Sequence, residues 1–293
     1  MRVVALGGGH GLSATLRALR SFAGEVTAVA SVADDGGSSG RLRADLGIPA
    51  PGDLRNCLIA LSDQPSLFAR AFNHRFAVGD LSGHPVGNVI LAGLFETADN
   101  LTEAIDEAAR LLGVSGRVLP ATDGPVTLHG ESDSGWVRGE AAVAEAGAVQ
   151  RVRLDPADAT SPEQVVSEIA WADHVVLGPG SLYTSVLAAS IPVQVRDALN
   201  ATHAQRIYVA NLKEQRPETA GYSVADHVDA VLKHGVPIDV VLADPERLAL
   251  GRLDSLGVPV LLRPLADPVG LHDPALLAAA LREAFTLARK GLR

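Results

Sequence analysis

The sequence predicts a doubly wound α/β fold with a mostly parallel sheet and a small β-rich insertion. Three observations carry this reading. Short apolar runs alternate with segments of helical periodicity, and two of those runs empty into glycine-rich turns that open helices. The middle of the chain breaks the rhythm with short valine-containing runs.

The elements follow in order. Residues 2–6 form an apolar run, Gly7-Gly8-Gly9-His10-Gly11 is the turn, and Leu12, Leu16 and Leu19 then recur at helical spacing. Val26 to Val32 reads as a second strand that ends at Asp34-Asp35-Gly36-Gly37. Strand, glycine turn, helix and strand make a βαβ opening, which requires a parallel pair. Helical patterns cover about 52–62, 65–73, 85–97 and 101–112. From about 117 to 153 the runs are broken by Gly, Asp and Pro, as in a small antiparallel insertion. The α/β rhythm then resumes: a helix at 162–171, strands at 174–177 and 206–211, a helix at 222–234, a strand near 238–242 and a closing helix at 273–290. No internal repeat or low-complexity linker divides the chain, so residues 1–293 are expected to form one domain carrying the insertion.

Composition excludes several classes. The chain has 293 residues, 47% of them hydrophobic, so it can bury a sizeable core and is not disordered. No stretch approaches the ~18 apolar residues of a membrane span, and no signal-type segment opens the chain, so a cytoplasmic location is expected. The single cysteine, Cys57, excludes an internal disulfide framework and a multi-cysteine zinc site. The nine histidines make no H-E-x-x-H pair. Net charge is −9, with no basic run and only 4% aromatic residues, which disfavours nucleic acid as a partner. Lysines stand only at 213, 233 and 290, so anions must be met by backbone N–H groups and arginine forks.

Six segments carry candidate chemistry. Gly8, Gly9, His10, Gly11 and Leu12 bring backbone N–H groups and a helix N-terminus close to a phosphate. The G-x-G-x-x-G frame fails at Leu12, and no lysine follows, which excludes a P-loop. At the end of the second strand, Asp35 stands where ribose hydroxyls are gripped, and Gly36, Gly37, Ser38, Ser39 and Arg41 suit a diphosphate. Pro51 to Leu58 opens a helix with Leu54, Cys57, Leu58 and Leu61 on an apolar stripe and Asp53 and Asn56 together beside it. That carboxylate and amide suit Mg²⁺ or an acceptor, and Asp53 is the candidate metal ligand and catalytic group. It is equally explained as a first-turn dipole partner. Cys57 reads as core.

In Gly83-His84-Pro85-Val86-Gly87-Asn88 the Asn88 amide is a cleft candidate, with local capping as the alternative. Leu177 to Ser185 repeats the first turn's physics, offering Gly180, Ser181 and Tyr183. Asn211 and Lys213 end the 206–211 strand near the same edge. No G-x-S-x-G elbow exists, which removes the α/β-hydrolase reading.

Taken together, these segments resemble the YvcK-type gluconeogenesis factor family, relatives of 2-phospho-L-lactate transferase. The resemblance spans nearly the whole chain. It rests on Gly7 to Leu12, Asp34 to Arg43, Pro49 to Asn56, Gly83 to Asn88, Leu177 to Ser185 and Gly221 to His227. It implies a Rossmann-like nucleotide-binding fold, UDP-sugars such as UDP-N-acetylglucosamine as ligands, and a role in growth on gluconeogenic carbon sources and in cell shape and wall synthesis. The transferase relative implies instead a nucleotide-linked phospholactate, a deazaflavin acceptor and Mg²⁺ around the position of Asp53. The chain departs from the family pattern at His10, where threonine is usual, at Leu187 to Ser190, and at Glu214 to Thr219.

The leading expectation is a regulatory nucleotide-sugar-binding protein with no certain cofactor. The rival is a transferase of a phosphoryl-linked group that uses Mg²⁺, chemistry that needs few catalytic side chains. An NAD-dependent oxidoreductase is the weakest reading, since the fingerprint is broken. Self-association and a protein partner in cell-wall synthesis are further expectations, with the insertion as an interaction surface.

Overall fold

Arg2–Gly7 (β1) is exposed only at Arg2, and an uninterrupted buried run belongs to a strand covered on both faces. The computed structural model describes residues 1–63, 66–133 and 135–291. The further strands are β2 Glu25–Ala30, β3 Arg117–Pro120, β4 Thr127–Ser132, β5 Gly135–Arg138, β6 Arg151–Asp155, β7 His174–Leu177, β8 Gln205–Val209, β9 Val240–Ala243 and β10 Val260–Leu262. Seven form one parallel sheet in the order β10-β9-β8-β7-β1-β2-β3. The chain steps outward from β1 to β2 and β3, then returns to β7 on the other side of β1. The switch point therefore lies between β1 and β7, where doubly wound sheets open a crevice.

The helices are α1 Gly9–Arg20, α2 Gly37–Leu46, α3 Gly52–Leu61, α4 Leu67–Asn73, α5 Val86–Thr97, α6 Leu101–Leu112, α7 Glu140–Glu145, α8 Glu163–Trp171, α9 Ala188–Ser190, α10 Val193–Ala201, α11 Val224–Lys233 and α12 Pro274–Gly291. Helix α1 packs against α3 and α12, and α8 packs against α10. Local signals set several ends. Asn100 accepts from the Glu103 amide at 3.0 Å to start α6, and Gly113 in the left-handed region ends it. Ser223 and Asp226 form a capping box on α11. The apolar stripe of α3 is buried as expected, with Leu54, Leu58 and Leu61 fully inside and Cys57 at 1% exposure, its thiol pushed well up by burial.

Several boundaries differ from expectation. Arg117–Pro120 is not part of the insertion: it pairs parallel with β2, Thr27 opposite Arg117, as the edge strand of the main sheet. The antiparallel sheet is β5-β4-β6, running from Thr127 to Asp155 with α7 between its second and third strands. A four-residue apolar run carries no mark of the partner it will find, so composition could not separate β3 from the strands that follow. Residues 37–46, for which the sequence suggested no helix, form α2, because Gly and Ser are tolerated in a first turn and Gly40 must lie against the Asp35 carbonyl, where a Cβ would collide. Helix α10 and strand β10 were not anticipated. Pro65, the expected start of the second helix of that region, lies outside the described residues.

Candidate functional site

The two glycine turns meet. A Cβ on Gly11 would collide with the Pro179 carbonyl oxygen, so only glycine lets α1 approach the turn after β7 this closely. Asn211, just beyond β8, clamps that second turn. Its Oδ1 accepts from the Gly180 amide at 3.0 Å, and its Nδ2 donates to the Gly180 carbonyl at 2.8 Å and to Gln215 Oε1 at 3.0 Å. Gln215 Nε2 in turn donates to Ser181 Oγ at 2.9 Å. Between the turns opens a crevice of about 380 Å³ whose lining includes His10, Gly11, Gly180, Asn211 and Lys213. A larger groove of about 550 Å³ lies against the last turns of α1 and α3 and α4, and it carries no phosphate-type turn.

The N-terminus of α1 is partly filled by the protein itself. Asp53 Oδ1 accepts from the Gly9 amide at 2.8 Å, and a Cβ on Gly8 would collide with Asp53 Oδ2. Burial, offset in part by the Gly9 hydrogen bond and reinforced by Asp34, pushes the Asp53 carboxyl up to about 6. His10 and Gly11 follow in the first turn, where N–H groups have no intrahelical acceptor, and both line the crevice. Leu12 is fully buried, so its side chain belongs to the core.

Of the aspartate pair, Asp34 faces Asp53 and Asp35 does not. Asp34 Oδ2 lies 3.3 Å from where a Gly52 side chain would begin, beside Ser39. Asp35 caps α7, accepting from the amides of Glu140 at 3.1 Å and Ala141 at 2.8 Å. Its carboxylate is therefore engaged by the insertion, not free at the strand end as a ribose contact needs. Ser38 meets His84 Nδ1 at 2.9 Å and accepts from Asn88 Nδ2 at 3.0 Å, all three buried. Two separate sequence motifs thus form one polar pin, and Asn88 is turned toward Ser38. Arg41 donates to the Ser82 carbonyl at 2.8 Å. Asn56 accepts from Arg55 Nη2 at 2.6 Å and also bonds Asp53.

The second helix start is closed from within. A π-helical turn, Leu182–Leu187, follows Ser181, with the Val186 amide bonded to the Ser181 carbonyl at 2.9 Å. Glu218 lies at its head, accepting from the amides of Tyr183 at 2.7 Å and Thr184 at 3.2 Å. Burial pushes this carboxyl up to about 7, against the pull of those two amides. The Tyr183 ring is in the core, its hydroxyl 3.0 Å from that of Tyr222. Lys213 is exposed at the crevice rim.

Sequence reasoning missed Asp34, Glu140 and Glu218. Glu140 sits on the insertion helix near Thr184, and burial and the charges of Asp34, Asp35 and Asp53 push it up to about 8. A signal existed only for Asp34: adjacent residues of an extended segment point to opposite sides, so one of the pair had to face inward. Among the described residues no group of three or more His, Cys, Asp or Glu is placed to hold a metal ion.

Glycine turns meeting at the switch point of a parallel sheet define a Rossmann-like α/β protein. The chain belongs to the 2-phospho-L-lactate transferase CofD family, whose model matches residues 3–254. It is 43% identical over 246 residues to the gluconeogenesis factor of Halalkalibacterium halodurans, covering 82% of this chain and 76% of that one. To the gluconeogenesis factor of Bacillus subtilis it is 41% identical over 251 residues, covering 84% and 79%. The crystal structure of a UPF0052-family protein from Bacillus halodurans superposes with a TM-score of 0.92 at 38% identity, covering 97% of this chain and 98% of that one. The kinship with gluconeogenesis factors expected from the motifs therefore holds. Among the described residues no helix is long and apolar enough to cross a membrane.

Proposed function

We propose that residues 1–293 act as one nucleotide-binding unit, a cytoplasmic gluconeogenesis factor that senses a UDP-sugar, with UDP-N-acetylglucosamine as the first candidate. The observation that carries this reading is that His10 and Gly11, in the first turn of α1 where amides have no intrahelical acceptor, line the crevice with Lys213 at its rim. Those amides and the dipole of α1 favour a diphosphate, and Lys213 adds a mobile positive charge. Gly180 stands in the opposite wall with Ser181 next to it in the chain, their polar groups engaged with Asn211 and Gln215. A regulatory role in cell shape and wall synthesis, through self-association or a protein partner, follows from the family resemblance.

One observation favours a second reading, a phosphoryl-linked group transfer. Asp34 and Asp53 lie close enough for the charge of one to raise the other, beside the turn that would hold a phosphate. Two carboxylates with a substrate phosphate and waters suffice for Mg²⁺, so the residues fit that ion. Asp53 and Asp34 would hold it, and the ion would neutralise phosphate charge during transfer.

The test is thermal unfolding of the full chain against UDP-N-acetylglucosamine, UDP-glucose, GDP, GTP and NAD, with and without Mg²⁺. At 100-fold over Kd a ligand adds ~2.7 kcal/mol, a midpoint shift of several degrees. A UDP-sugar shift without turnover supports the sensor. A Mg²⁺-dependent guanine-nucleotide shift, or loss of the ligand to products, overturns it in favour of the transferase.

A further inference from the structure

Two arginines, Arg41 and Arg75, hold one turn without a carboxylate partner, and a third, Arg55, lies within reach of the Arg75 charge. Arg41 Nη2 donates to the Ser82 carbonyl at 2.8 Å and lies 3.0 Å from where a Gly83 side chain would begin. Arg75 Nη1 donates to the Gly83 carbonyl. Arg55, on α3, is 8% exposed, yet its one hydrogen bond is to the neutral Asn56 amide, and its buried Nε has no partner. Among the described residues none of the three forms an ion pair. A buried guanidinium without an anion is costly, and a like charge nearby makes it costlier.

The neighbours sharpen the point. Arg75 sets a second positive charge near Arg55, which is largely buried, and Asp53 is the one carboxylate near enough to oppose it. His84 follows the same turn. Burial and then the Arg41 charge lower its pKa, Asp45 raises it, and Arg75 lowers it again, so the ring is neutral. Asn88 donates to Ser38 Oγ, which also lies 2.9 Å from His84 Nδ1. Two cationic forks thus hold the turn with Arg55 close to Arg75, and the one carboxylate near Arg55, Asp53, is itself engaged by the Gly9 amide.

We propose that Arg41, Arg55 and Arg75 form a second anion subsite, separate from the glycine-turn crevice, which takes the phosphate monoester of a small second ligand. Guanidinium forks match carboxylate and phosphate alike, but three of them favour a group that carries close to two negative charges at neutral pH. The subsite adjoins Asp53 through Arg55, so a ligand seated there ends beside the α1 N-terminus. It rests on the reading of the crevice as a nucleotide site only in calling this ligand the second one.

The test titrates the full chain with inorganic phosphate at constant ionic strength, with acetate as the carboxylate arm, and reads the unfolding midpoint. Arg75→Gln and Arg41→Gln, both at exposed residues, and the charge-conserving Arg55→Lys are compared with the unaltered chain, and each is also titrated with UDP-N-acetylglucosamine. The expected result is a phosphate shift larger than the acetate shift, apparent phosphate affinity weakened tenfold or more in the variants, and an unchanged nucleotide-sugar shift in Arg75→Gln. Should Arg55→Lys not fold, the two surface variants decide the matter alone. Equal phosphate affinity in all chains overturns the subsite. So does a phosphate shift abolished by saturating nucleotide-sugar, which would place the phosphate in the crevice. An acetate shift equal to that of phosphate overturns the monoester assignment. A chain that ignores UDP-N-acetylglucosamine but still binds phosphate through these arginines refutes the crevice reading and leaves the subsite standing.

Discussion

The Asp53 carboxylate caps the helix that begins at Gly9: its Oδ1 stands 2.8 Å from the Gly9 amide, across forty-four residues of chain. A carboxylate at a helix N-terminus is ordinarily stabilised there. Here burial and Asp34 oppose it, and the group sits at about 6, close to the point where it changes charge.

Replacing Asp53 by Asn keeps an acceptor for Gly9 and removes the opposing charge. The unfolding midpoint of the free chain at pH 8 should stay level or rise slightly, while any Mg²⁺-dependent nucleotide binding falls at least tenfold. Asp53→Ala should instead lose about 1 kcal/mol by orphaning the Gly9 amide. Calorimetry of both variants, with nucleotide titrations beside it, separates the structural from the binding role.

Gly11→Ala drives a methyl group into the Pro179 carbonyl, which is backbone and cannot swing away. The variant should lose about 1–3 kcal/mol of stability through overpacking and should bind nucleotide-sugar weakly, because the two turns separate. Native binding in a stable Gly11→Ala chain would remove the crevice from consideration.

Lys213 is exposed, so Lys213→Ala should leave stability within about 0.5 kcal/mol. Its effect belongs to the ligand: nucleotide affinity should fall several-fold, more at low than at high salt, since the charge is screened by ions. Affinity measured at two ionic strengths checks this.

Glu140 titrates at about 8 in the folded chain against an ordinary 4.5. The folded state therefore holds a proton that the unfolded state has released, and stability falls as pH rises through that window. Glu140→Gln should match the parent below pH 4.5 and exceed its midpoint by a few degrees at pH 8.5, measured without divalent cations. A constant difference at every pH would refute the assignment.

Glu218→Ala leaves the amides of Tyr183 and Thr184 unpartnered in the interior, at about 1–3 kcal/mol for each. Glu218→Gln keeps one acceptor and should recover more than half of the loss. Chemical denaturation of the two variants reads the difference.

Much of this was legible before any coordinates. The βαβ opening showed in the Leu12, Leu16, Leu19 spacing behind the glycine turn, and the burial of Cys57 showed in the stripe it shares with Leu54 and Leu58. Both are periodic features, and period is a local property that residues in sequence carry by themselves. The paired motifs Asp34 to Arg41 and Gly83 to Asn88 were each visible. Their junction through Ser38, His84 and Asn88 was not, because a hydrogen bond between residues forty-six apart leaves no mark on either segment.

The amino-acid order alone determined which strands end in glycine turns and which helices open there. Tertiary structure alone decided that Arg117–Pro120 joins the parallel sheet. It also decided that Asp34 faces Asp53 while Asp35 holds the insertion helix, and that Glu218 closes the second helix start. The physical reason is common to all three. Strand partnership and carboxylate orientation depend on which distant donors arrive opposite a group, and a buried donor or acceptor must be satisfied wherever its partner lies in the chain.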